Sequence, residues 1–305
     1  MGRGSYQSSD WDRLRSSRNI NSNSTVQDLY RSRQMKDSMN PKGVKYRESC
    51  DSIDNPASTA IIFGLDVTGS MGYLSVEIAK GALNRTMLEI YEKNPVTNPH
   101  IMFQAIGDSK SDQAPLQVTQ FEADIRIAEQ LLDVYFEGRG GGNGGESYLL
   151  SWYFADKHTK IDCYAKRKEK GFLFTIGDEC CHETLESDEI MRVFGEPSAR
   201  CTAKQLYEKA SKKYEIFHIV MRAGSYKSQH SGEHWKELIG NRAVELDPDN
   251  LDVLPEIFVS LMQYARGADA EQIVSQWNGK AAEVVKQILA EMGVLEQKKK
   301  GFLFF

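Results

Sequence analysis

The stretch Thr59-Ala60-Ile61-Ile62-Phe63-Gly64-Leu65-Asp66-Val67-Thr68-Gly69-Ser70-Met71-Gly72 decides the fold. Its first seven residues are a nearly unbroken apolar run, the pattern of a strand covered on both faces. Asp66 ends the run with a carboxylate, and hydroxyls follow at alternate positions, Thr68 and Ser70. Residues 76–93 then carry Ile78, Ala79, Leu83, Met87, Leu88 and Ile90 at helical spacing. A buried strand, a polar loop and a helix open an α/β unit. In such sheets ligands collect beyond the carboxyl ends of the strands. One carboxylate and two hydroxyls at that edge are hard oxygen donors with little charge, a set that suits Mg²⁺.

Outward from this stretch, apolar runs predict further strands at 101–106, 172–176, 214–221 and 243–246, and an alternating edge strand at 116–121 joined by a hairpin. Helical periodicity falls between them at 123–136, 147–158, 203–213, 232–239 and 254–264. The alternation predicts a doubly wound, mostly parallel sheet with helices on both faces, a Rossmann-type three-layer α/β fold. Two more loops can reach the edge that bears Asp66. One is Gly138-Arg139-Gly140-Gly141-Gly142-Asn143-Gly144-Gly145-Glu146-Ser147; the other is Phe174-Thr175-Ile176-Gly177-Asp178-Glu179.

Asp66-x-Thr68-x-Ser70, the glycine-rich loop and Asp178 after the next core strand, in that order, closely resemble the von Willebrand factor A (vWA) domain. That family's metal-ion-dependent adhesion site has the pattern DxSxS or DxTxS. The resemblance covers roughly residues 58–266. It implies that Thr68 and Ser70 bind a divalent cation through their hydroxyls, and that Asp66 and Asp178 hold it largely through water. The glycine loop departs from the family's Thr form. Its polar residues are Asn143, Glu146 and Ser147; Asn143 takes the ligand position, and Glu146, Ser147 and Glu179 are placed on the partner-binding rim. The implied cofactor is Mg²⁺, with Mn²⁺ and Ca²⁺ open, since oxygen donors accept all three. The implied partner is a protein that offers an Asp or Glu carboxylate to the cation. Intracellular members of the family often work in multiprotein assemblies, some with AAA+ ATPases, others with RNA or DNA.

The flanks read differently. Residues 1–57 are rich in Ser, Arg, Asn and Asp and poor in aliphatics. Such a composition predicts a flexible arm, or one that folds against something else. Residues 1–49 hold ten Lys or Arg and five acids, within a chain of net charge −5. That asymmetry suggests a partner of the arm's own, nucleic acid or an acidic protein. Residues 267–305 form a C-terminal helical extension, with a stripe of Ile273, Trp277, Ala281, Val284, Val285, Ile288, Leu289 and Met292 interrupted near Asn278-Gly279. The end, Lys298-Lys299-Lys300-Gly301-Phe302-Leu303-Phe304-Phe305, calls for docking.

The five cysteines, Cys50, Cys163, Cys180, Cys181 and Cys201, show no disulfide or zinc spacing, and a reducing, cytoplasmic setting follows. No apolar run reaches eighteen residues, so no membrane span is expected. The residues near the N-terminus lack the apolar core of a secretory signal. The reading is therefore a non-enzymatic interaction module. Two alternatives remain: a nucleic-acid-associated protein that uses the basic arm, and a Mg²⁺-dependent hydrolase. The hydrolase lacks a nucleophile beside an evident base; of the histidines only His182 lies near the metal segments. No Gly-Lys-Ser/Thr closes the glycine loop, which argues against a Walker site. Asp108, Ser109 and Asp112 read as a solvated hairpin, and His218 as a core histidine.

Overall fold

The computed structural model describes residues 4–138 and 144–295; the side chains of Ser70 and Ala79 also lie outside the description. Six strands make the central sheet: β1 (Thr59–Asp66), β2 (Pro99–Ile106), β3 (Leu116–Val118), β4 (Gly171–Gly177), β5 (Tyr214–Met221) and β6 (Ala243–Leu246). Their spatial order is β6-β5-β4-β1-β2-β3. All neighbours pair in parallel except β3, which runs antiparallel to β2. The sheet grows from β1 towards β2 and β3, then restarts on the other side with β4. The switch point thus lies between β1 and β4, whose carboxyl ends lead into Asp66 and Asp178.

Every residue of β1, β2 and β4 is buried, as their apolar runs require. Alternate side chains feed two cores. On one face Phe103, Phe63, Phe174 and Phe217 sit in register across four strands. Neighbouring rings are stacked 5.6–5.8 Å apart. Phe258, from the helix Leu254–Ala265, lies over the row at 4.7 and 5.0 Å from Phe63 and Phe174. On the other face Ile62, Met102, Leu173 and Ile216 pack with the helix Tyr148–Lys157. The helix after Asp66 runs from Gly72 to Lys93 with a π-helical turn at Ile78–Ala82.

The N-terminal segment corrects the expectation of a flexible arm. Trp11, on the helix Ser8–Arg18, is 2 % exposed, and Tyr6, Leu14, Ile20, Leu29, Tyr30 and Met39 join the same core. The Tyr30 hydroxyl donates to the Ser75 carbonyl at 2.9 Å, and Arg47–Ser49 adds a parallel two-stranded ladder with Thr159–Ile161. Counting aliphatics missed this, because three of the anchors are aromatic and the aliphatic ones are scattered. Part of the basic charge is also spent within the chain: Arg18 and Lys36 both pair with Asp133.

The C-terminal extension docks on its own chain. The helices Ala270–Ser275 and Gly279–Glu291 bury Ile273, Trp277, Val285, Ile288 and Leu289 in the Phe258 core, and the Trp277 indole donates to Ser260 Oγ at 2.8 Å. Residues 296–305, with the lysine run and the terminal phenylalanines, lie outside the described residues. No helix among the described residues is long and apolar enough to cross a membrane.

Candidate functional site

Asp66 closes β1 and is fully buried. The chain turns at once, so that Thr68 points back: its backbone N–H and its hydroxyl both donate to Asp66 Oδ1, at 2.9 and 2.6 Å. With its proton given to Asp66, the Thr68 hydroxyl oxygen can act towards other groups only as an acceptor. The Tyr148 hydroxyl donates to Asp66 Oδ2 at 2.7 Å. Burial pushes the Asp66 carboxyl up to about 7, the Thr68 and Tyr148 hydrogen bonds pull it down, and the charge of Asp178 adds to the rise.

Asp178 follows β4 and is also fully buried; the Ser225 N–H donates to its Oδ2 at 2.9 Å. Glu179, beside it, is half-buried and held by Ser225 Oγ, Gln229 Nε2 and the Trp235 indole, which donates to the Glu179 carbonyl at 2.9 Å.

Glu146 lies inside the site and not on its rim. It is 1 % exposed, and its backbone is fixed to the 180–182 segment by Glu146 N–H to the Cys180 carbonyl and His182 N–H to the Glu146 carbonyl. Its Oε2 has no hydrogen-bond partner among the described residues. Burial, then the charges of Asp66, Glu179, Asp108 and Asp112, push its carboxyl up to about 11. The Tyr73 hydroxyl nearby is likewise buried and unpartnered, and burial with Asp178 and Asp66 pushes it up to about 12. Among the described residues no ion pair reaches Asp66 or Glu146. Buried charge without a counter-charge is costly.

Ser147 is likewise buried and turned away from the rim. Its hydroxyl donates to Ser109 Oγ (2.8 Å) or Asp108 Oδ1 (3.3 Å) and accepts from the Ser109 N–H at 2.8 Å. Asp108, Ser109 and Asp112 are buried too, against the expectation of a solvated hairpin. Asp108 is hydrogen-bonded to His182 Nε2 at 2.9 Å, and Lys110 Nζ sits 3.3 Å from His182 Nδ1. This network walls one side of a cleft of about 430 Å³ lined by Lys110, Gly144, Cys180, Cys181, His182 and His234, among others. His218 is a core histidine as expected, bonded through Nδ1 to Thr175 Oγ1 at 2.7 Å.

Of the expected metal set, the structure brings Asp66, Thr68 and Asp178 to the switch point, and Glu146 joins them. Asn143 lies outside the described residues, as does the side chain of Ser70. Among the described residues no three His, Cys, Asp or Glu side chains are placed to hold an ion by themselves. Hydroxyl and water oxygens must complete any such set. The orphaned Glu146 oxygen and the hard-oxygen donor chemistry fit a divalent cation. What sequence reasoning missed is the inward turn of Glu146. Its signal is position: it directly precedes Ser147 and the almost wholly buried helix Tyr148–Lys157.

The sheet order, with these loops gathered at its switch point, settles the architecture. The fold is vWA-like. No family model matches the sequence, and no curated protein matches it either. Among solved structures the chain is similar to the pilus adhesin SpaC of Lactobacillus rhamnosus GG in its open conformation, at 8 % identity and a TM-score of 0.46, over 73 % of this chain and 31 % of that one. It is similar to the vWF domain of the type V pili tip protein Mfa5 of Porphyromonas gingivalis, at 10 % identity and 0.46, over 68 % and 96 %. A von Willebrand factor type A from Catenulispora acidiphila follows at 11 % identity and 0.40, over 69 % and 43 %. The chain thus spans less than a third of the length of the SpaC adhesin.

Proposed function

We propose that this vWA-like domain is a protein-interaction module that grips an acidic side chain of a partner through a divalent cation at the switch point. The observation that carries this reading is the buried Glu146 oxygen without a partner, crowded by Asp66, Glu179, Asp108 and Asp112. Four carboxylates around a fifth call for a cation from outside. Thr68 and Glu146 supply direct oxygen donors, while Asp66 and Asp178 add charge from behind; Ser70 and Asn143 complete the set in this proposal. The bound cation, Mg²⁺ by preference and Mn²⁺ or Ca²⁺ by the same chemistry, supplies an open position for the partner's carboxylate.

The module works without turnover in this reading. The cysteines are unpaired, and a cytoplasmic setting within a multiprotein assembly, with an AAA+ ATPase or another assembly component offering the Asp or Glu, is the partner context we propose. The test is selection of random displayed peptides on the immobilised protein in Mg²⁺, followed by elution with EDTA. Enrichment of Asp or Glu among the eluted peptides, lost with Asp66→Ala/Ser70→Ala, is the expected result. Peptides that hold through EDTA, or that lack acids, contradict it.

A further inference from the structure

Asp66 does not stand alone behind the site. A carboxylate offers about four lone-pair positions. Two on Oδ1 are taken by the Thr68 N–H and hydroxyl, and one on Oδ2 by the Tyr148 hydroxyl. The phenol is placed with little freedom. Tyr148 is fully buried, and its ring stands edge-on to His218 at 5.0 Å and to Trp235 at 5.3 Å. Those two rings stack on each other at 3.5 Å. His218 is tied to Thr175 on β4, and the Trp235 indole to the Glu179 carbonyl. The cluster therefore anchors Tyr148 to β4 and the Asp178-bearing segment that follows it.

Gly177 makes room for this arrangement. A Cβ there would lie 1.7 Å from the Tyr148 oxygen and 2.9 Å from Asp66 Oδ2. Its φ is not in the left-handed region, so the glycine serves the close approach and not the backbone. Burial and then the neighbouring charges of Asp66 and Glu146 hold the phenol well above its ordinary range.

We infer that Tyr148 is a positioning residue that latches Asp66 Oδ2 on the Gly177 side, keeping this carboxylate out of direct contact with the cation. Asp66 then contributes charge through water, and the cation stays electron-poor towards the partner's carboxylate. The inference rests on the cation-binding reading above and adds to it a residue that the DxTxS pattern does not include. Outer partners of this kind orient the ligands they touch and tune the metal.

The test uses Tyr148→Phe, which keeps the ring and its packing on His218 and Trp235 and removes one oxygen. Europium(III) serves as a luminescent probe for the divalent ion, and its decay in H₂O and D₂O counts the water molecules that it retains; Mg²⁺ affinity is measured by calorimetry on the same samples. With Asp66 Oδ2 released, the variant is expected to hold the ion with one water fewer than the wild type and to bind Mg²⁺ more tightly. A lost ring contact or a loosened core gives no reason for either change. An unchanged or larger water count, or weaker Mg²⁺ binding, in a variant with wild-type circular dichroism overturns the latch and leaves the cation site standing. A wild type that binds neither ion overturns both.

Discussion

Glu146 and Glu245 are both glutamates buried near the carboxyl ends of the sheet, and the fold treats them in opposite ways. Glu245, on β6, is 8 % exposed. Lys236 Nζ donates to its Oε1, and Tyr226 and Arg222 donate to its Oε2. Burial alone would raise its carboxyl, but the hydrogen bonds of Lys236, Tyr226 and Arg222 outweigh it and hold the group down at about 2. Glu146 is more deeply buried, receives no basic side chain among the described residues, and is pushed up to about 11. Where this chain uses a carboxylate to brace its own structure, it supplies the cation. At the switch point it gathers carboxylates, and among the described residues no basic side chain pairs with Asp66 or Glu146. That difference is what the proposed cation site rests on, and it needs no appeal to family likeness.

The comparison can be broken first at its structural end. Glu245→Gln leaves Lys236 and Arg222 against a neutral amide, and should lower unfolding free energy by about 3 kcal/mol in urea titration. The effect of Mg²⁺ on the melting temperature should be unchanged. Glu146→Gln should do the reverse. In chelator it removes the cost of protonating this carboxyl on folding at neutral pH and should stabilise the protein by about 1–3 kcal/mol, while the Mg²⁺-dependent rise in melting temperature disappears. Equal losses from the two substitutions would erase the distinction.

Acid sharpens the same contrast. Asp66 is raised from the ordinary carboxylate range to about 7, so without a cation the folded state binds this proton more tightly than the unfolded chain. Its contribution favours folding in mild acid and is lost as pH rises from about 4 to about 7. Glu245 is lowered to about 2, so its contribution is present above about 4.5 and is lost as pH falls towards 2. Melting curves in chelator at pH 4.5 and 7.5 should therefore show the wild type losing roughly 2–4 °C relative to Asp66→Asn at the higher pH. Glu245→Gln should differ from the wild type about equally at both. The smallest effect belongs to the N-terminal segment, where charge and hydrogen bonds are again satisfied within the chain. Tyr30→Phe removes the bond to the Ser75 carbonyl and should cost about 1 kcal/mol by urea titration; no cost would mean that the segment is not docked there.

Much of this architecture was legible. The run 59–65, the strands near 101–106, 172–176, 214–221 and 243–246, and the carboxylate at the end of β1 were all written as local patterns, because a strand covered on both faces has no choice of composition. Asp66, Thr68 and Asp178 converge as the strand alternation implied. The docked arm was not legible, since its anchors Tyr6, Trp11 and Tyr30 are isolated aromatics in a polar stretch, and only a receiving surface gives them value. The helix Ser187–Phe194 went unassigned, although its Ile190, Val193 and Phe194 form one buried side. Glu146 was placed on the rim because a charged residue after glycines reads as exposed. Its burial follows from the bridge to the 180–182 segment, a contact distant in sequence. Tyr148 was hidden for the same reason: an apolar helix start does not announce which carboxylate its hydroxyl will meet.

The most direct measurement is calorimetric titration of Mg²⁺ and Mn²⁺ into chelator-stripped protein, wild type beside Glu146→Gln. The account predicts saturable binding to the wild type and none to the variant. A wild type that takes up neither ion, or a variant that binds both as well as the wild type does, would contradict it.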